Sequence, residues 1–214
     1  MPDAGARRGG RDGLLVDFGG VLTTNVFDAF ATYCASEGLA PDAFATLLRT
    51  DPEAAGMLRD VETGALSEDE FEARFAPMLG EHITPAGLIG RLSGSLEPDE
   101  PMLEALGRIH EAGHATAIVS NSFGYGAYDG YELDSRVDHV VLSGAVGVRK
   151  PSRRIYLLAA ELAGVAPERC VFVDDLAQNV SGAERVGMHG VHHTDSAGTI
   201  RQLEALFELE PAAR

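Results

Sequence analysis

Positive charge is scarce in this sequence. Lysine and arginine together number 17 against 33 aspartates and glutamates, which gives a formal net charge of -16 at pH 7. Nucleic acids and anionic membrane surfaces would be repelled by such a chain, so neither is expected as a partner. A small anionic substrate remains compatible with the charge, because local cations and a bound metal set the field inside a pocket.

Long hydrophobic runs and cysteines are scarce as well. No stretch approaches the length of about 20 apolar residues that a transmembrane helix requires. Residues 1–11 contain no apolar segment after their arginines, so we predict a disordered tail rather than a secretory signal. The two cysteines, Cys34 and Cys170, lie in unrelated apolar patterns and indicate no disulfide framework. We therefore expect a cytoplasmic protein, either a monomer or a homodimer.

Short apolar runs alternate with amphipathic segments over much of the chain. The runs predicted to be buried strands are residues 14–16, 115–119, 137–142 and 170–173, with a weaker one near Val191. Strands that alternate with helices in this way predict a parallel sheet with helices on both faces, which is a Rossmann-like α/β fold.

The segment between the first two predicted strands is helical throughout. Asn25 can cap its first helix, and no clear strand follows until after residue 95. We predict an all-helical cap at residues 25–95, inserted into a discontinuous core made of residues 12–24 and 96–209.

Polar side chains follow three of the four clear strands. These residues are Asp17, Ser120, Asn121, Asp174 and Asp175. The only lysine of the chain, Lys150, follows the remaining strand and directly precedes Pro151. Because ligands of an open parallel sheet bind outside the carboxyl ends of its strands, these groups are expected to meet at one site.

This set of groups suits phosphoryl transfer. Several carboxylates at one site repel each other unless a divalent cation lies among them, and oxygen ligands without a nearby Cys or His pair favour Mg²⁺ over Zn²⁺. A hydroxyl and a lysine can hold phosphoryl oxygens while one carboxylate attacks. The turn made by Gly19 and Gly20 offers successive amides that can form an anion-binding concavity.

Four segments, in order, resemble the sequence motifs of the haloacid dehalogenase-like hydrolase superfamily. They are Asp17-Phe18-Gly19-Gly20-Val21, Ser120-Asn121, Lys150-Pro151 and Val173-Asp174-Asp175 followed by Asn179. The resemblance covers the chain from Leu14 to about Leu206 and is nearest to the branch that contains the amino-terminal phosphatase domain of soluble epoxide hydrolases. The predicted helical insertion is similar to the cap of that superfamily.

The resemblance implies a nucleophile and a Mg²⁺ site. Asp17 would attack phosphorus to form an aspartyl-phosphate and would also bind the metal. The backbone carbonyl of Gly19 and the carboxylate of Asp175 would complete the protein ligands. Asp174 would orient a metal-bound water or add a weaker contact.

It also implies a phosphate site. Ser120, the amide of Asn121 and the turn at Gly19 and Gly20 would bind the phosphoryl group, and Lys150 would balance the charge of nucleophile and phosphate. Asn179 would cap or stabilise the helix that follows the fourth strand.

One position departs from the pattern of the superfamily's phosphatases. These enzymes usually carry a second aspartate two residues after the nucleophile as general acid and base, and Gly19 stands there instead. Loss of a general acid costs about 10²–10⁴-fold when the leaving group is poor. We expect either a substrate with a good leaving group, such as a sugar 1-phosphate or an acyl phosphate, or a substitute proton donor. The candidate donors are Tyr125, Tyr128, Thr23, Thr24 and His82.

The predicted function is a Mg²⁺-dependent phosphatase acting on a small phosphorylated metabolite. A catalytically impaired binding protein on the same fold is an alternative, because of Gly19. A haloacid dehalogenase-type hydrolase is a second alternative, although such enzymes lack the paired carboxylates seen at Asp174 and Asp175. Phosphonate hydrolases of this architecture require a cap lysine, and residues 25–95 contain none.

Overall fold

The computed structural model describes residues 11–122, 128, 131, 133 and 136–209. The predicted tail, apart from Arg11, and the candidate proton donor Tyr125 lie outside these residues.

A parallel sheet forms the centre of the molecule. The strands in the described part of the chain are β1 (Gly13–Val16), β2 (Ala115–Ser120), β3 (His139–Leu142), β4 (Cys170–Asp174) and β5 (His189–His192). Their order is β3-β2-β1-β4-β5, and every neighbouring pair is parallel. The predicted Rossmann-like α/β fold is confirmed.

Strand β1 is central and buried along its whole length. Its last residue, Val16, lies opposite Ile118 of β2 and Val173 of β4. The carboxyl ends of these three strands therefore meet at one edge of the sheet. Strand β3 begins two residues later than predicted, because the amide of Val137 donates to the carbonyl of Leu133 in a turn.

Helices cover both faces of the sheet. Leu14 and Val16 pack with α6 (Glu100–Glu111) and α10 (Ser196–Leu206) in one buried cluster. Leu15 points to the other face and packs with α8 (Arg153–Leu162) and α9 (Ala177–Glu184). This alternation along β1 is the period of two that a strand buried on both faces requires. A short helix, α7 (Ser143–Val146), follows β3.

The regular elements between β1 and α6 are all helices. These cap helices are α1 (Val26–Ser36), α2 (Ala43–Thr50), α3 (Pro52–Glu62), α4 (Glu68–Leu79) and α5 (Leu88–Leu92). Their buried side chains form a hydrophobic cluster of their own, separate from the two clusters of the sheet. As predicted, Asn25 caps the first of these helices: its side chain accepts from the amides of Phe27 and Asp28.

The two connections that join the cap helices to the sheet run side by side. Thr23 and Pro98 form an antiparallel bridge. The amide of Thr24 donates to the carbonyl of Glu97 at 2.8 Å, and the amide of Glu97 donates to Oγ1 of Thr24 at 3.1 Å. The chain therefore leaves the sheet and returns to it at neighbouring, hydrogen-bonded points.

Both cysteines are free and buried, Cys34 in the cap cluster and Cys170 in the sheet. Among the described residues, no helix is both long enough and apolar enough to cross a membrane.

Candidate active site

Asp17 lies directly after β1, at the centre of the sheet edge. Its amide donates to the carbonyl of Val173 at 2.9 Å, which continues the pairing with β4 by one residue. Oδ1 of its buried side chain accepts from the amide of Phe18 at 2.7 Å. The following turn requires a glycine at Gly20, whose φ is +77° and where a Cβ would lie 2.6 Å from Oδ2 of Asp175.

Lys150 joins two of the carboxylates. Its Nζ is 2.6 Å from Oδ1 of Asp17 and 2.7 Å from Oδ2 of Asp174. Although burial favours the neutral amine, the two carboxylates outweigh it and raise the pKa of Lys150. A fully buried lysine is tolerable only when it is paired in this way.

The side chain of Asn121 positions Lys150. Oδ1 of Asn121 accepts from the amide of Lys150 at 2.8 Å, and its Nδ2 donates to the carbonyl of the same residue at 3.2 Å. Only a backbone role was expected for Asn121 from the sequence. The pairing with Lys150 was missed because it depends on β2 and the segment after β3 lying side by side.

Asp174 is fully buried and its carboxylate is held from three directions. Oδ1 accepts from the amide of Leu176 at 2.9 Å and from Nδ2 of Asn179 at 3.0 Å, while Oδ2 accepts from Lys150. Asn179 was predicted to cap or stabilise the following helix; the capping alternative is wrong, since Leu176 is the N-cap residue of α9. Asn179 lies inside that helix and stabilises the carboxylate of Asp174.

Three carboxylates meet at this edge of the sheet. Asp17, Asp174 and Asp175 each present one oxygen, and the three oxygens lie within 4.8 Å of one another. Burial raises the pKa of Asp17 to about 8, although Lys150 lowers it; the charges of Asp174 and Asp175 add to the rise. Burial, and then the charge of Asp174, also raise the pKa of Asp175. The single positive charge of Lys150 therefore does not neutralise the three carboxylates.

A cavity of about 230 Å³ opens above these residues. Its floor includes Asp17, Gly19, Ser120, Asn121, Lys150 and Asp175. Ser120 ends β2 and is buried, and its Oγ accepts from the hydroxyl of Tyr128 at 2.8 Å. The predicted nucleophile, the lysine and the predicted phosphate ligands other than Gly20 thus line a single cavity.

Of the candidate proton donors within the described residues, one lines the cavity, namely Tyr128. Thr23 stabilises the turn instead: its Oγ1 accepts from the amide of Gly20 and donates to the carbonyl of Thr24. Nε2 of His82 is hydrogen-bonded to the carbonyl of Glu37, away from the cavity lining.

Two charged residues of the cavity were not found from the sequence. Nη1 of Arg149 lies 2.6 Å from Oε2 of Glu62, at the end of cap helix α3. Burial raises the pKa of Glu62 to about 6, although Arg149 lowers it. The position of Arg149 next to Lys150 was the one available signal. The contribution of Glu62 depends on how the cap helices pack against the sheet, which no local pattern encodes.

Relatives of known activity match parts of this chain. The sesquiterpene phosphatase of Aspergillus oryzae is 31% identical over 125 residues, which cover 56% of this chain and 63% of the relative. Bifunctional epoxide hydrolase 2 of Rattus norvegicus is 27% identical over 133 residues, covering 59% of this chain and 24% of the relative. The chain thus spans less than two thirds of the length of these relatives.

Solved structures share the fold. A HAD family enzyme of Bacteroides thetaiotaomicron, determined as a magnesium complex, superimposes with a TM-score of 0.66 at 19% identity, covering 86% of this chain and 93% of that chain. The family model described as haloacid dehalogenase-like hydrolase matches residues 12–187, most of the chain. The predicted resemblance is therefore confirmed, and the chain belongs to the haloacid dehalogenase-like (HAD) hydrolase family.

Proposed function

We propose that this protein is a Mg²⁺-dependent phosphatase that hydrolyses a small phosphorylated metabolite through an aspartyl-phosphate on Asp17. The observation that carries the proposal is the environment of Asp17 on the cavity floor. Nζ of Lys150 lies 2.6 Å from its Oδ1, and oxygens of Asp174 and Asp175 lie within 4.8 Å. Phosphatases among the relatives support the same reaction class.

The donor set fits Mg²⁺. It consists of oxygens only, and a divalent cation would relieve the repulsion that contributes to the raised pKa of Asp17. Asp17, Asp175 and the carbonyl of Gly19 would hold the ion. Asp174 would contribute a weaker contact or orient a water, because Lys150 and Asn179 already occupy its oxygens. When bound, Mg²⁺ supplies positive charge to the phosphoryl oxygens.

Residues of this chain carry out phosphate binding and the two displacements at phosphorus. The hydroxyl of Ser120, the amide of Asn121 and the Nζ of Lys150 hold the phosphoryl oxygens in line with Asp17. A carboxylate oxygen of Asp17 attacks phosphorus, the ester P–O bond breaks, and its electron pair leaves on the ester oxygen. The departing ester oxygen takes a proton from solvent. Water then attacks phosphorus and the bond from phosphorus to the Asp17 oxygen breaks, which regenerates the carboxylate; the water leaves one proton on the released phosphate and returns the other to solvent.

Phosphate release with and without Mg²⁺ tests the proposal. Wild-type protein is expected to release phosphate from a panel of phosphate esters only with Mg²⁺, and Asp17→Asn is expected to abolish release because the nucleophile is lost. Asp60→Asn is the matched control, since Asp60 is exposed on α3. Activity that survives in Asp17→Asn would contradict the proposed nucleophile.

The position of Gly19 favours one competing function, a binding protein on the same fold. Such a protein would bind inorganic phosphate at this site with Mg²⁺ but would release none from any ester. The same assay, combined with a phosphate-binding measurement, separates the two functions.

A further inference from the structure

The cap side of the cavity is a hydrocarbon surface. Its apolar lining residues from cap helices α1, α2 and α3 are Val26, Phe27, Phe30, Phe44, Leu48 and Leu58. The rings of Phe27 and Phe30 lie 6.0 Å apart, and those of Phe30 and Phe44 lie 4.5 Å apart. This surface, here called the apolar wall, reaches the catalytic floor, because Val26 lies against Gly19.

The polar groups that line the cavity on the cap side already have partners within the protein. Glu62 is paired with Arg149. The hydroxyl of Ser93 donates to the carbonyl of Ile89 at 2.8 Å. Of the remaining polar lining, Asp17, Ser120 and Lys150 belong to the phosphoryl end of the cavity, and Gln178 lies on α9, outside the cap helices.

These contacts decide which organic group the cavity suits. A sugar would bury several hydroxyls against the apolar wall, and each would give up its hydrogen bonds to water without a protein partner. A second phosphate or a carboxylate would have to compete with Glu62 for Arg149, in a chain of net charge -16. A hydrocarbon group gains free energy by leaving water for this wall.

We infer that the substrate is the monophosphate of an uncharged, hydrocarbon-rich organic group, which packs on the apolar wall while its phosphate binds at Asp17. The inference rests on the proposed phosphatase function and specifies its substrate class. Phe27 stands at the exposed part of the wall, with 46% of its surface accessible. It is therefore the position where the wall can be altered without opening the cap core.

Three phenolic monophosphates with closely similar leaving groups test the inference: phenyl phosphate, para-butylphenyl phosphate and O-phosphotyrosine. With Mg²⁺, kcat/KM is expected to be about tenfold or more higher for the butylphenyl than for the phenyl ester, because each buried methylene is favourable by a few-fold. Phosphotyrosine, which carries two charges on its organic group, is expected to fall below phenyl phosphate. Equal values for all three, or phosphotyrosine as the best substrate, would overturn the inference.

A pair of variants locates the effect. Phe27→Ser is expected to lower the butylphenyl-to-phenyl ratio several-fold, since it removes part of the apolar wall. Leu162→Ser is the matched control, because Leu162 is 45% exposed on α8 and does not line the cavity. A ratio that is the same in both variants would contradict the assignment of Phe27 to the substrate-binding wall.

Binding measurements separate this inference from the phosphatase proposal. Calorimetry with Mg²⁺ compares benzylphosphonate with para-butylbenzylphosphonate, neither of which can be hydrolysed. If no ester is turned over but the butyl compound binds about tenfold more tightly, the phosphatase proposal fails and the preference for an apolar group stands. Equal binding of the two phosphonates would overturn the preference whether or not turnover occurs.

Discussion

Cγ2 of Val26 lies 2.6 Å from the position that a Cβ atom would take on Gly19. Val26 begins cap helix α1, whereas Gly19 lies two residues after the proposed nucleophile. A side chain at position 19 therefore requires Val26 to shift. The missing acid–base aspartate is thus coupled to the packing of the cap against the site.

This coupling makes a two-residue prediction. We expect Gly19→Asp alone to bring no gain in the hydrolysis of butyl phosphate, because the new side chain and Val26 compete for one space. Gly19→Asp combined with Val26→Ala, which removes both γ-carbons, is expected to raise kcat by about tenfold or more, in the direction of the 10²–10⁴ that a positioned general acid supplies. The measurement is kcat with Mg²⁺ for the single and double variants.

Val26→Ala alone is the control for a looser cap. Equal rates for Gly19→Asp with and without the change at Val26 would contradict the coupling.

In the unaltered protein, the lack of an acid implies rates that rise steeply with leaving-group acidity across a series of substituted phenyl phosphates. A flat series would instead point to a proton donor in the cavity, where Tyr128 is placed to act.

Replacement of Lys150 by methionine is expected to cost stability as well as activity. The carboxylate of Asp174 would stay fully buried without its cation. Breaking a buried pair by removing one partner costs about 3–5 kcal/mol in the free energy of unfolding. Urea denaturation in metal-free buffer measures the loss. Arg59→Met, at an exposed position of α3, is the control. A similar loss of unfolding free energy in both variants would show that the buried pair of Lys150 and Asp174 does not stabilise the fold.

The burial of Glu62 predicts a pH dependence of stability. Burial raises the pKa of Glu62 from 4.5 to about 6, so between these values the folded protein keeps a proton that the unfolded chain has lost. The contribution of Glu62 to stability is therefore present at low pH and is lost as pH rises through about 6. Relative to Glu62→Gln, the free energy of unfolding of the wild type is expected to fall by about 2 kcal/mol across this window.

Urea denaturation at a series of pH values provides the measurement. The exposed Glu81, changed to glutamine, is the control and should show no such trend against the wild type. A wild-type stability that rises with pH relative to Glu62→Gln would mean that the ion pair with Arg149 outweighs burial.

Much of the sheet and of its polar edge could be predicted from local patterns. Apolar runs that end in Asp17, in Ser120 and in Asp174 placed these residues at strand ends, and parallel strands bring such ends together. Lys150 was singled out because it is the only lysine of the chain and follows a predicted strand, directly before Pro151. These inferences depend only on strand period and on charge.

The contacts made by packing could not be predicted. The proximity of Val26 to Gly19, and of Glu62 to Arg149, depends on how one hydrophobic cluster sits against another. The side-chain role of Asn121 depends on the approach of two loops far apart in sequence. Asn179 was expected to cap or stabilise the helix after β4, but its side-chain amide donates to a buried carboxylate five residues earlier.

Thr24 and Glu97 are hydrogen-bonded to each other beside the bridge from Thr23 to Pro98. This arrangement makes the helical insert a separable module. Both ends of the inserted helices meet at one place, so an insert of another length or shape could be grafted between them without altering the strand register of the sheet. Selectivity for the organic group could then diverge by exchange of that insert, while the residues proposed to bind the phosphoryl group stay in place at the edge of the sheet.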